Sequence, residues 1–462
     1  MVVKINTVYF EEKREECGVV GIYSKTGKPV APLLYKALFA LQHRGQDAAG
    51  FAVYDDGKIE VRRGIGLVAD IFQPEDIALG GSIGIGHTRY PTIGECKMCD
   101  VQPSLFGDVA VAHNGHVANY NDLKQELEED YRFMSTVDSE PMVYMIHRNR
   151  GNLEKGVREI MERTEGSYSD VCIYKGKLIV YRDPFAIRPL VWGENEDFIC
   201  FASESVALDT NSIKHAGNVK GGELITVNGG QLVKKQLVPE NARHCMFEYV
   251  YFSRPDSMIN GASIHGARSR LGQALAEEAP AKADVVVPVP DTSRTAAAAY
   301  AKALNIQYDE GLMKNRYIGR TFIMPSQEKR KEAVKIKLNP VKDIIAGKSV
   351  VLVDDSIVRG TTLREIVAMV RSAGAAEVHL RITCPPIRAP CFYGVDMSTY
   401  KELIANKKTI EEIKTHLGAD SLYYVSLEGL KKALGHPLCT ACLTEEYHTE
   451  YVKGLAQKEK QM

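Results

Sequence analysis

Residues 349–362 read S-V-V-L-V-D-D-S-I-V-R-G-T-T, and few folds accommodate that order of residue types. Val350 to Val353 form a short continuous apolar run, as a strand covered on both faces does. Two carboxylates, Asp354 and Asp355, follow at once, and then a turn of mostly small residues. Leu363, Ile366, Val367 and Val370 recur at helical spacing, and Gly374 is placed to end that helix. The predicted unit is strand, acidic pair, phosphate-sized turn, helix. Its turn offers backbone N–H groups and the Ser356, Thr361 and Thr362 hydroxyls to an anion at a helix N-terminus. The acidic pair can accept hydrogen bonds from vicinal hydroxyls or work near a divalent cation. A phosphate joined to a diol is a ribose 5-phosphate. The competing reading is an ordinary strand–helix turn that carries two aspartates.

Taken whole, the stretch resembles the phosphoribosyl-pyrophosphate (PRPP) motif of type I phosphoribosyltransferases. That resemblance makes Ser356, Arg359, Gly360, Thr361 and Thr362 substrate-binding residues. A second strand, Ala283 to Val289, runs into Pro290-Asp291-Thr292-Ser293. Ligands of open α/β sheets gather at the carboxyl ends of strands, so this loop suits pyrophosphate and Mg²⁺. Thr292, Asp354 and Asp355 match the family's magnesium positions, and the diphosphate itself can supply most of the coordination. Tyr317 to Asn339 is rich in Arg and Lys with Gly and Pro as hinge candidates. A solvated basic face is the plain reading. The family reading is a loop that closes over PRPP and excludes water, with Arg320, Lys335 and Lys337 on phosphate.

A chain of 462 residues has room for roughly two to three domains. A formal net charge of −1 argues against nucleic acid or an anionic membrane as the main partner. No apolar run approaches the roughly twenty residues of a membrane span, and the N-terminus lacks a signal-peptide core. The ten cysteines therefore read as thiols, metal ligands or a nucleophile in a reducing cytoplasm.

The charged run E-E-K-R-E-E stands immediately before Cys17, and G-V-V-G-I-Y follows it. A lone cysteine at a strand start is most often a buried small hydrophobe. The sharper reading makes residues 1–16 a removable leader and Cys17 the mature N-terminus. A free α-amine with a pKa of about 7.7–8 can act as base for its own thiol. E-E-C-G-V-V-G-I, L-Q-H-R-G-Q-D-A-A-G (41–50), G-H-T-R-Y-P-T (86–92), A-H-N-G-H-V-A-N (112–119) and S-T-V-D-S-E (135–140) occur in that order. Together they resemble the glutaminase domain of N-terminal-nucleophile (class II) amidotransferases. By that resemblance Cys17 attacks the glutamine side-chain amide, Arg89 holds the α-carboxylate and Asp138 pairs with the α-ammonium. The Asn114 amide and the Gly115 N–H form the oxyanion hole. His43, Arg44 and Gly45 are either structural turn residues or contacts to the nucleophile. His116 departs from the small polar residue usual after Asn-Gly and is expected to be exposed and neutral to mechanism. Gly166 to Gly230 alternates apolar runs with turn residues and reads as a β-meander.

Both halves together resemble the glutamine PRPP amidotransferase family over Cys17 to the C-terminus. The implied fold is an α+β N-terminal-nucleophile glutaminase sandwich, residues 17–240. An α/β type I phosphoribosyltransferase domain follows, residues 241–462, with a C-terminal cysteine-bearing extension. The implied enzyme is a glutamine-dependent pentosyltransferase: ammonia released at Cys17 travels through an internal channel and displaces pyrophosphate from PRPP to give 5-phosphoribosylamine. Cys245, Cys391, Cys439 and Cys442 match the subgroup that carries a structural [4Fe-4S] cluster. All-thiolate ligation suits iron–sulfur or zinc, and Cys384 competes for the fourth place. Cys172 and Cys200 read as inert buried thiols, and the Cys96/Cys99 pair as reduced thiols on a loop. The family also implies feedback by AMP and GMP and a homotetramer. Two rivals are another class II amidotransferase, such as a glucosamine-phosphate synthase, and a PRPP-binding regulator without catalysis. The PRPP motif argues against the first. The glutaminase motifs and the basic loop argue against the second.

Overall fold

The computed structural model describes residues 17–90, 97–315, 338–397 and 399–461. The leader at 1–16, Cys96, and Arg320, Lys335 and Lys337 lie outside the described residues.

The N-terminal part is a sandwich of two antiparallel sheets. Strand Gly18–Ser24 lies at the middle of a seven-stranded sheet, between Phe198–Ala202 and Ile83–Arg89. Val109–Val117 and Gly166–Tyr174 pair in the facing six-stranded sheet. Because successive side chains alternate between faces, Val19 points between the sheets, where Ala110, Ala112, Val171 and Phe201 pack. Val20 and Ile22 point outward beneath helix Ala31–Ala40 and meet its Leu34 and Leu38. On the opposite side, Met142, Met145, Val157 and Ile160 of helices Glu140–Arg148 and Leu153–Arg163 cover Val109 and Val111. The result is four layers, helix–sheet–sheet–helix, with both sheets covered on both faces.

The segment 166–230 is not a simple meander. Gly166–Tyr174, Lys177–Arg182 and Glu223–Asn228 belong to the second sheet, whereas Val191–Glu194, Phe198–Ala202 and Lys214–Asn218 join the first. A period of two marks a strand but carries no information about which sheet receives it.

The C-terminal part is built on a five-stranded parallel sheet in the order Gln307–Tyr308, Val285–Pro288, Ser349–Asp354, Glu377–Ile382, Ser421–Tyr424. Numbered along the chain this is 2-1-3-4-5, so the strand order reverses between Val285–Pro288 and Ser349–Asp354. Leu271, Leu275, Ala297 and Tyr300 of helices Ile264–Glu278 and Arg294–Leu304 pack against Val286 and Val351 on one face. Leu363, Ile366, Val367 and Val370 of helix Thr361–Ser372 pack against Val285, Val350 and Leu352 on the other. Burial on both faces is why Val350 to Val353 are apolar without alternation.

The last helix, Glu450–Gln461, returns to the sandwich, where the Tyr451 hydroxyl donates to Asp122 Oδ2 at 2.8 Å. Among the described residues no helix is long and apolar enough to cross a membrane.

Candidate functional site

Two sites sit at the ends of these sheets. In the sandwich, Cys17 immediately precedes the central strand, and Gly18 lies opposite Thr88, which puts the thiol beside the end of the strand that carries Arg89. Cys17 is half-buried, with Sγ 3.9 Å from the Tyr90 carbonyl oxygen. Among the described residues the buried Nε of Arg89 has no hydrogen-bond partner. A guanidinium nitrogen left so is suited to a ligand carboxylate.

Asn114 is 1% exposed on strand Val109–Val117. Its Nδ2 lies 3.4 Å from Ser203 Oγ, which also accepts the Val19 N–H at 3.0 Å. Ser203 thus ties the oxyanion candidate to the strand that follows the thiol. At Gly115 a Cβ would overlap the Ser167 carbonyl across the ladder, so only glycine fits. The half-buried Asp138 carboxylate accepts the Val117 N–H at 2.8 Å. Desolvation opposes its charge, but His116, His113 and the Val117 amide hold it well below the usual carboxylate range.

His116 is not the exposed bystander expected from the sequence. Its Nδ1 lies 3.4 Å from Asp138 Oδ2, and its side chain is 29% exposed. Val117 packs beneath the helices with Val109 and Val111, so His116 lies on the opposite face of the strand, the face that also carries Asn114, Ala112 and Ala110. Behind Asn114, buried His113 pairs through Nδ1 with Asp170 Oδ1 at 2.8 Å. Burial disfavours the imidazolium, yet Asp170 raises the His113 pKa.

At the parallel sheet, Asp354 ends its strand and Asp355 begins the turn. Asp355 Oδ2 accepts from Thr292 Oγ1 at 2.6 Å and Oδ1 from Ser356 Oγ at 2.9 Å. Asp354 Oδ1 accepts from Ser293 Oγ at 3.2 Å and from the Asp355 N–H at 2.8 Å. The acidic pair and the Thr292 loop therefore meet at the point of strand reversal, where ligands of such sheets bind. Gly360 precedes helix Thr361–Ser372 with φ +82°, and a Cβ there would lie 2.9 Å from Ile404 Cδ1. Arg359 Nη2 lies 3.1 Å from Glu402 Oε1, so this guanidinium is held by a neighbouring loop at the mouth of the turn.

The distant cysteines converge. Cys245 and Cys439 are register partners in the short parallel pair His244–Cys245 and Leu438–Cys439. Burial pushes the Cys442 thiol well up, and Cys391, Cys439, Cys384 and Cys245 push it further. The Tyr393 N–H lies 3.3 Å from Cys391 Sγ. Among the described residues, no three His, Cys, Asp or Glu side chains are arranged in metal-binding geometry. The thiols are gathered without being closed on one point. Cys99 is exposed, and Cys172 and Cys200 are buried.

Sequence reasoning left Arg44 open and missed Glu204 and Glu248 altogether. All three are buried charges. The local signals were the Q-H-R-G-Q motif around Arg44 and the S-E-S-V-A-L and C-M-F-E-Y-V-Y-F stretches around Glu204 and Glu248. None of these marks a glutamate as buried, since an isolated glutamate is ordinarily a surface residue.

Comparisons with known proteins agree with this geometry. Residues 92–210 match the glutamine amidotransferase domain model, and residues 259–419 match the phosphoribosyl transferase domain model. The chain is 47% identical to the amidophosphoribosyltransferase of Methanothermobacter thermautotrophicus, covering 97% of this chain and 98% of that protein. It is 43% identical to the Bacillus subtilis amidophosphoribosyltransferase, over 94% of each. The solved structure of glutamine PRPP amidotransferase from B. subtilis, complexed with ADP and GMP, superimposes with a TM-score of 0.89 at 42% identity, covering 94% of this chain and 98% of that one.

Proposed function

This chain belongs to the amidophosphoribosyltransferase family, and from that premise we propose that it transfers the amide nitrogen of glutamine to PRPP, the first committed step of purine biosynthesis. The observation that carries the reading is the pairing of two sites in one chain. Cys17 and Arg89 stand at neighbouring strand ends of the sandwich with Asn114 on its facing sheet, and Thr292, Asp354 and Asp355 stand at the strand ends of the parallel sheet.

In the proposed cycle the Cys17 thiolate attacks the glutamine Cδ. With residues 1–16 removed, the α-amine takes the thiol proton and returns it to the leaving nitrogen, which departs as ammonia. Water then releases glutamate from the thioester. Arg89 and Asp138 grip the α-carboxylate and α-ammonium, and Asn114 with the Gly115 N–H stabilises the tetrahedral oxyanion. Ammonia passes through an internal channel to the second site. There it forms a bond to C1 of PRPP as the C1–O bond to pyrophosphate breaks, giving 5-phosphoribosylamine. Ser356, Thr361, Thr362 and the N–H groups after Gly360 hold the 5-phosphate. Asp354 and Asp355 hold the ribose hydroxyls, while Arg320, Lys335 and Lys337 cover the diphosphate.

Hard carboxylate and hydroxyl oxygens at Thr292, Asp354 and Asp355 suit Mg²⁺, which would neutralise diphosphate charge. Cys245, Cys391, Cys439 and Cys442 suit a [4Fe-4S] cluster as a structural group. Neighbouring thiols that raise one another's pKa stay protonated until a cation compensates them. The division at residue 240, the homotetramer, a cytoplasmic location and inhibition by AMP and GMP complete the proposal. Nucleotide occupancy in the B. subtilis structure supports the last. Pyrophosphate release measured with glutamine and with ammonia tests the reading. Turnover with both supports it, and tight PRPP binding with neither points to the regulator.

A further inference from the structure

Arg44 lies just beyond helix Ala31–Ala40 and is 1% exposed. Its Nε donates to the Cys17 carbonyl oxygen at 3.0 Å, on the residue that carries the thiol. Its outer nitrogens are engaged by two carboxylates. Nη1 donates to Glu204 Oε1 at 2.7 Å and to Glu248 Oε2 at 2.9 Å, and Nη2 to Glu248 Oε1 at 2.6 Å. Each carboxylate is itself fixed. Glu204 Oε1 pairs with His43 Nε2 at 2.7 Å, and Glu204 Oε2 accepts the Arg254 N–H at 3.0 Å and the Ser257 hydroxyl at 2.7 Å. Glu248 Oε2 accepts the Ser253 hydroxyl at 2.8 Å.

A buried ion cluster is poor evidence for stability, because desolvation of the charges offsets most of their attraction. It is good evidence for a fixed geometry. The fork formed with Glu248 locks the guanidinium plane. That lock sets the direction of Nε and hence the position of the Cys17 carbonyl, one bond from the Cα that bears the nucleophile. Glu248, Ser253, Arg254 and Ser257 all belong to the segment that leads from the sandwich into helix Ile264–Glu278.

We propose that Arg44 is the positioning residue for the Cys17 nucleophile, held by Glu204 and Glu248, and that residues 248–257 are thereby a working part of the glutamine site. The inference rests on the reading of Cys17 as nucleophile. Substrate contacts at Arg89 and Asp138 do not pass through this network, so its loss should act on the reacting geometry and leave glutamine affinity in place. Misplacing a reacting group by about 1 Å can cost on the order of 100-fold in rate.

The test compares wild type, Glu248→Gln and Arg44→Lys. Glu248→Gln keeps the shape with half the acceptor strength, and Arg44→Lys keeps the charge without the fork. Steady-state glutamine hydrolysis, ammonia-dependent pyrophosphate release and the rate of Cys17 alkylation by a glutamine-like chloroketone are measured for each. The expected result is a fall of about 10- to 100-fold in kcat for glutamine hydrolysis. KM for glutamine should change less than about twofold, alkylation should slow in parallel, and ammonia-dependent turnover should be retained. Unchanged kcat in both variants would overturn the proposal. So would equal loss of the glutamine- and ammonia-dependent rates, which is the signature of a merely structural pair. A wild-type protein that neither hydrolyses glutamine nor is alkylated at Cys17 would sink the nucleophile reading, and the inference with it.

Discussion

Thr292 Oγ1 donates to Asp355 Oδ2 at 2.6 Å, joining the loop after one parallel strand to the acidic pair at the end of its neighbour. The bond spans the reversal of strand order, so it ties together the two loops proposed to bind PRPP. Asp355→Asn keeps the shape and removes the charge. A charge-assisted hydrogen bond contributes about 1.5–3 kcal/mol, so the KM for PRPP should rise roughly 10- to 100-fold. Glutamine hydrolysis assayed without PRPP should not change. Kinetics at saturating ammonia measure the first, and glutamate release the second.

Asn114→Ala removes one of the proposed oxyanion donors while the strand that holds it stays paired to Gly166–Tyr174. Glutamine hydrolysis should fall by about 10²–10³ in kcat, with ammonia-dependent transfer intact. Stopped assays of glutamate and pyrophosphate on the same preparation separate the two.

Glu204 supplies a pH signature. Burial opposes its charge, but His43, Arg44 and Ser257 hold its pKa well below the ordinary 4.5. A carboxylate depressed on folding contributes stability above its unfolded pKa, and that contribution is lost as pH falls toward the folded one. Glu204→Gln should therefore destabilise the protein by about 3 kcal/mol at neutral pH. The difference from wild type should narrow below pH 4.5. Urea midpoints from pH 7 down to 3 measure the gap, and a constant gap contradicts the assignment.

Much of this was legible from residue order. The strand–acid–turn–helix unit at 349–372 appears as read because its apolar run, its glycine and its helical spacing all favour one local structure. The strand expected over Ala283 to Val289 was likewise encoded in local pattern and is formed over Val285–Pro288. The assignment of strands 191–202 to the first sheet was not, since alternation specifies a face and not a partner. His116 was misjudged because pairing with Asp138 depends on the approach of a turn twenty-two residues away. The Arg44–Glu204–Glu248 network was invisible for the same reason: burial of a charge is decided by the whole fold.

The cysteine set predicts a measurable metal. Purified anaerobically, the chain should carry about four iron and four acid-labile sulfide, with brown absorbance. Cys442→Ser should lose most of it, whereas Cys384→Ser should retain it. Zinc in place of iron, or retention in Cys442→Ser, would reassign the ligands.

The most direct test of the two-site account follows nitrogen. Wild type and Cys17→Ser are assayed for glutamate and pyrophosphate with PRPP and either glutamine or ammonia. The account predicts equimolar glutamate and pyrophosphate from glutamine in wild type. It predicts neither from glutamine in Cys17→Ser, which still releases pyrophosphate with ammonia. Glutamine-dependent pyrophosphate release that survives in Cys17→Ser, or its absence in wild type with both donors, would contradict it.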